Sequence, residues 1–137
     1  MVKSLFSILL VLSSTFVFAK KVPPAPTEYR WVQDYGNVLE SDQELELMRK
    51  LRDYYDSTST DIVIVTEHSL EGDDVFDYSH RLAEAWGIGG SEKDNGILIY
   101  AAIRDRRMFI QNGDGVEGAF PDLYANRVVE DILKPNF

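Results

Sequence analysis

The chain is predicted to fold as an α/β domain on a mixed sheet, and three observations predict it. Residues 62–65 and 97–103 are apolar runs without alternation, the pattern of strands covered on both faces. Between them Val75, Tyr78, Leu82 and Trp86 recur at helical spacing. After the second run comes a polar turn, Arg104-Asp105-Arg106, and then a third strand-like segment over 107–112. Strand, helix and strand in that order make a central parallel βαβ unit. The third strand then returns antiparallel beside the second, as the partner in a hairpin.

The start of the chain belongs to targeting rather than to the fold. Lys3 precedes an apolar stretch over 5–18 that ends in Val17-Phe18-Ala19. This is the pattern of a secretory signal peptide, residues 1–19, with cleavage expected after Ala19. The stretch is short and rich in Ser and Thr for a membrane span. No Cys lies at the junction, or anywhere in the 137 residues. That excludes a lipid-anchored lipoprotein, cysteine catalysis and thiolate metal sites. An exported protein, periplasmic or in the cell envelope, is therefore expected to be stable without disulfides.

Residues 20–28 hold Pro23, Pro24 and Pro26 and read as an extended, mobile leader. The domain follows over 29–137, with residues 29–32 pinning the leader onto it. Asp34 and Gly36-Asn37 carry turn chemistry. Ser41 with Glu44 reads as a capping box, which opens a first helix. Its stripe is Leu45, Met48, Leu51 and Tyr55, widened by Leu47 and Tyr54. Residues 71–74 form a turn and cap the second helix, which Gly87, Gly89 and Gly90 end. Pro121 and Asp122 favour the start of a third helix. Its inner face is Ala125, Val128, Val129, Ile132 and Leu133, and Pro135 ends it.

The formal net charge is -9, and loss of Lys3 with the signal leaves the mature domain more acidic. Such a surface disfavours nucleic acid and favours divalent cations, although solubility alone also explains it. Chain direction adds a geometric argument. The second predicted strand begins just after Asp94-Asn95, and the third returns to end at Asn112. The Asp94 turn and the loop over 113–117 therefore lie at one end of the sheet, with Asp122 nearby. Asp94, Asp114, Glu117 and Asp122 are expected to converge there, with Asn95 as a neutral oxygen donor. Asp34 joins this set as a candidate whose position the local pattern does not determine. Carboxylates beside carbonyl-rich glycine turns suit Ca²⁺ or Mg²⁺. Each acid also has an ordinary reading, as a turn, a helix start or a surface residue.

Gly113-Asp114-Gly115-Val116-Glu117-Gly118 matches the dinucleotide fingerprint G-x-G-x-x-G. Two acids at its variable positions would repel a pyrophosphate, and the preceding strand is a hairpin partner rather than the start of a βαβ unit. No later strand is left to carry the ribose-binding acid. An acid-lined turn is the better reading. His68 is expected at the end of the sheet opposite the acids, and His80 beside the second helix's apolar stripe. Neither is assigned to catalysis. Serine-hydrolase and Walker motifs are absent from the sequence.

The order of these pieces resembles the TPM domain family, which includes thylakoid-lumen proteins of photosystem II repair and exported bacterial proteins. The matching residues are Val32-x-Asp34, Leu39-x-Ser41, Trp86-Gly87-Ile88-Gly89, Asp94-Asn95-Gly96, Asp105-Arg106, Gly113-x-Gly115-x-Glu117-Gly118, Asp122 and Pro135-x-Phe137. The resemblance implies a three-layer α/β/α sandwich with a Rossmann-like mixed sheet. It also implies a divalent-cation site in a shallow cleft, at the matched positions Asp34, Asp94, Asn95, Glu117 and Asp122, and an acid-phosphatase label. Asp114 falls at a variable position, so its role rests on the geometric argument alone. The family commonly continues beyond the P-x-F element, and membrane attachment is expected only through such a C-terminal continuation.

Three functions are open at this point. The first is an exported Ca²⁺- or Mg²⁺-binding module working through other envelope proteins. The second is a metal-dependent phosphatase in which Glu117 is the candidate general base. The third is an interaction domain without metal.

Overall fold

A four-stranded sheet in the order β1 (Val32–Asp34), β2 (Asp61–Glu67), β3 (Gly96–Ala102), β4 (Arg107–Asn112) carries the chain. The computed structural model describes residues 19–28, 30–90, 94–116, 118 and 122–136; of Asp122, Leu123 and Asn136 only the backbone is described. The first three strands are parallel and β4 is antiparallel to β3, as the hairpin pattern predicts. Asp61 pairs with Gly96 in register, so β2 and β3 begin at the same edge of the sheet.

Helix α1 (Ser41–Thr58) packs against β1 and β2. Its cap lies one residue earlier than the sequence pattern suggests. Gln43 reaches back to accept the Glu40 backbone N–H at 3.0 Å, so Glu40 rather than Ser41 occupies the N-cap. No residue of α1 is fully buried, and Leu45, expected on its inner face, is 43% exposed. Helix α2 (Val75–Trp86) follows the expected pattern closely. Asp74 caps it by accepting the Asp77 N–H at 3.0 Å, and Gly87 ends it in a left-handed conformation.

One face of the sheet packs Val63, Val65, Leu98, Tyr100 and Ala102 against Tyr78 and Leu82 of α2. The other packs Ile97, Ile99 and Ile110 against Ala125 and Val129 of α3 (Asp122–Arg127) and its continuation. The fold is thus the three-layer α/β/α sandwich with a central parallel βαβ unit and an antiparallel hairpin strand. The last helix departs from the sequence pattern. Beyond Arg127 it widens into π-helical turns over Val128–Leu133, then tightens to a 3-10 turn over Lys134–Asn136. The wider turn rotates Ile132 outward to 56% exposure and leaves Leu133 packed inside.

The leader is docked rather than mobile. Val22 packs on the α2-side core, and the Trp86 indole N–H donates to the Pro23 carbonyl at 2.9 Å. Arg30 then pairs with Asp61 at 3.0 Å and lies over the Trp31 and Tyr55 rings. The pinning expected over 29–32 is thus carried by Arg30 and Trp31.

Candidate functional site

At the edge where β2 and β3 begin, three loops approach backbone to backbone. Gly113 N–H donates to the Gly96 carbonyl at 2.8 Å, and Gly115 N–H to the Asp94 carbonyl at 2.9 Å. The Asp94 carboxylate accepts the Asp114 N–H at 3.1 Å. Asp94 itself holds a left-handed backbone, φ 45°, which bends the chain into β3. A Cβ on Gly113 would sit 2.0 Å from the Asp94 carbonyl oxygen, so only glycine permits this approach. The loop after α2 closes the third side. Gly89 N–H donates to Asp61 at 3.2 Å, and Asp61 N–H donates to the Asn95 carbonyl at 3.1 Å.

A cleft of about 610 Å³ opens at this edge, between the C-terminal turns of α2 and the hairpin. Asp94 and Asp114 both line it, so the convergence inferred from chain direction holds for these two acids. His80 and Glu84 line it as well, with His80 Nε2 3.3 Å from the Glu84 carboxylate. The His80 ring stacks on Phe76. Glu84 is not singled out by the sequence pattern; its one signal there is the i, i+4 spacing from His80 on the exposed flank of α2. Asp61 is not singled out either, a buried carboxylate at the head of an apolar strand, which ties the α2 loop to this edge.

The other predicted residues fall as follows. Asn95 donates its side-chain amide to the Ser59 carbonyl at 2.6 Å, which anchors the loop to the end of α1. Glu117 and the Asp122 side chain lie outside the described residues; the Asp122 backbone opens α3. Asp34 stands apart. It ends β1 opposite Thr66, and β1 runs parallel to β3, so it lies at the far end of the sheet from Asp94. There it organises the turn into α1, accepting from Thr66 Oγ1 at 2.5 Å and from the Leu39 and Val38 N–H groups at 2.8 and 3.2 Å. Among the described residues no three His, Asp or Glu side chains are grouped closely enough to hold a metal ion.

Burial alone would raise the Asp34 pKa, but the bonds from Thr66, Leu39, Val38 and Asn37 outweigh it and hold the carboxyl below 3.8. A depressed folded-state pKa stabilises above the unfolded value and loses that contribution as pH falls through the folded one. Asp34→Asn should therefore cost about 1–2 kcal/mol at pH 7. The cost should shrink as pH drops below 3.8, where the wild-type carboxyl takes up its proton. Urea unfolding of both proteins from pH 7 down to the acid limb checks this. His68 lies with the leader, at the end of the sheet away from Asp94, as expected.

The TPM domain model matches residues 32–137. Two solved relatives are similar, both solution NMR structures. One is the N-terminal domain of a protein from P. gingivalis, 28% identical with a TM-score of 0.75, covering 86% of this chain and 80% of that one. The other is the N-terminal domain of a protein from Corynebacterium glutamicum, 21% identical with a TM-score of 0.62, covering 87% of this chain and 78% of that one; it supports the fold alone. No curated protein matches the chain.

Proposed function

Because this chain belongs to the TPM domain family, we propose that it is an exported domain that binds Ca²⁺ or Mg²⁺ and serves as an accessory or interaction module in the cell envelope. The observation that carries the proposal is the sharing of one cleft by Asp94 and Asp114. The two residues belong to loops hydrogen-bonded to each other, with the Asp94 carboxylate accepting the Asp114 backbone N–H, so both are held on one cleft before any ion arrives. Hard oxygen donors of this kind fit Ca²⁺ or Mg²⁺ and do not fit a soft metal. Two carboxylates are fewer ligands than Ca²⁺ takes. Glu117 and Asp122 are the proposed additions, with water completing the shell. Asn95 is the strut of the loop, and Asp34 is left out because it sits at the other end of the sheet. The bound cation would supply charge neutralisation between the loops.

The hydrolytic reading is the weaker one. Among the described residues lining the cleft there is no Arg or Lys to stabilise a transferring phosphoryl group. The two readings separate in one set of assays. Excess Ca²⁺ should stabilise the domain by about 2.7 kcal/mol at a hundredfold excess over Kd. Chelator should remove this gain, and Asp94→Ala should not acquire it. A phosphate monoesterase activity lost on chelation and in Asp94→Ala would favour the enzyme. Stability indifferent to both ions would end the binding proposal.

A further inference from the structure

The opposite end of the sheet holds a second built site, and its occupant is the leader itself. Lys20 is gripped at both of its nitrogens. Its side-chain ammonium pairs with Glu67 at the C-terminal end of β2, donates to the Ser69 carbonyl at 2.5 Å and lies 5.1 Å over the Tyr78 ring. Its backbone nitrogen donates to Asp73 at 2.9 Å. Arg81 closes the clasp by pairing with Asp73 and donating to the Lys20 carbonyl at 2.9 Å. The Glu67 and Asp73 side chains are only 9% and 11% exposed, which makes them unusual acids for a leader to meet by chance. Beside them the buried Tyr100 hydroxyl has no hydrogen-bond partner among the described residues.

The residue clasped in this way is the one that follows Ala19, the expected cleavage point. In the uncleaved chain the Lys20 nitrogen is a neutral amide. We propose that removal of residues 1–19 turns it into an α-ammonium that locks onto Asp73, so that export processing itself completes the fold at this end of the sheet. The chemistry is peptide hydrolysis by a signal-peptidase-type endoprotease. Water is added across the Ala19–Lys20 bond, Ala19 leaves as a carboxylate, and the Lys20 nitrogen takes up a proton. Asp73 then faces two cations, the new terminus and Arg81. Glu71 lines the same end as Lys20, and the Asp105 carboxylate accepts from Ser69 and Leu70 beside it. This inference rests on the export reading above but uses none of the cation-site residues.

The test compares purified chain beginning at Lys20 with chain carrying one extra glycine before it, each with and without Asp73→Asn. Displacing the ammonium by one residue should raise the unfolding constant about tenfold, as expected for loss of a charge-assisted bond. In the Asp73→Asn background the glycine should make little difference. The sign with pH is fixed. A terminus whose pKa is raised above the ordinary value of about 8 by Asp73 stabilises below that value and loses the effect as pH rises through the folded pKa. The advantage of the Lys20 start should thus fade between about pH 8 and pH 10. His68 and Arg104 line the same end of the sheet, and Arg81 faces Asp73. An added glycine without effect, or an equal effect in Asp73→Asn, overturns the docking. N-terminal mass analysis of exported protein tests the processing step separately, and a mature chain beginning elsewhere overturns that step whatever the stability cycle gives.

Discussion

Tyr78→Ala is expected to destabilise the domain by about 3–5 kcal/mol, the range for removing a large aromatic from a packed core. Tyr78 is fully buried and meets Tyr100 edge to face, with ring centroids 5.3 Å apart. Its hydroxyl donates to Glu67 at 2.6 Å. Burial first, and then the adjoining Glu67 carboxylate, push the phenol well above its usual range, so it stays a neutral donor. The Lys20 ammonium and Arg81 guanidinium lie over the same ring. One side chain therefore joins the α2-side core to the leader clasp. Tyr78→Phe keeps the ring and removes only the bond to Glu67, so it should cost about 1 kcal/mol. Denaturant unfolding of the two variants separates packing from the polar bond. Equal losses in both would mean that the hydroxyl, not the ring, dominates.

The second large effect lies at the other end of the sheet. Gly89→Ala should cost about 3 kcal/mol, from two sources that add. Gly89 holds φ 88°, where an L side chain is disfavoured by roughly 1–2 kcal/mol. Its Cβ would also meet Gly96 N at 2.3 Å, a backbone atom fixed in β3. Overpacking of that kind costs about 1–3 kcal/mol. Relief requires the loop after α2 to lift away from the start of β3. The cleft beside Asp94 should widen, and the proposed cation binding should weaken along with stability. Gly90→Ala is the control, because its Cβ would meet nothing within 4 Å while φ is again positive, 71°. It should cost only the backbone contribution. A Gly89→Ala loss no larger than that of Gly90→Ala would show that the close approach contributes nothing.

The elements readable in the sequence are those whose pattern repeats over two or more turns or strands. Val75, Tyr78, Leu82 and Trp86 mark α2, and the two unalternating runs mark the buried centre of the sheet as β2 and β3. β1 has only three residues, too few for a period to emerge, and it is held by pairing to β2. Because β1 was not recognisable as a parallel strand, the far-end position of Asp34 was not readable either. Lys20 docks onto Glu67 and Asp73 across 47 and 53 residues of chain, and no local pattern encodes such a contact. The outward turn of Ile132 follows from a π-helical register that a 3.6-residue period cannot express. Within the candidate site, the meeting of Asp94 and Asp114 was readable because a hairpin fixes which loops share an end. The contributions of Glu84 and Asp61 were not, since they depend on how α2 lies across the sheet.

The Asp94–Asp114 cleft is proposed to take a hard divalent cation. The most direct test is a residue-resolved amide titration of the domain with Ca²⁺ and with Mg²⁺. The predicted result is saturable shifts over residues 94–96 and 113–122, absent in Asp94→Asn and Asp114→Asn, with the Asp34 turn and the Lys20 clasp undisturbed. No shifts at millimolar ion, or shifts centred on Asp34 or Asp73 instead, would contradict it.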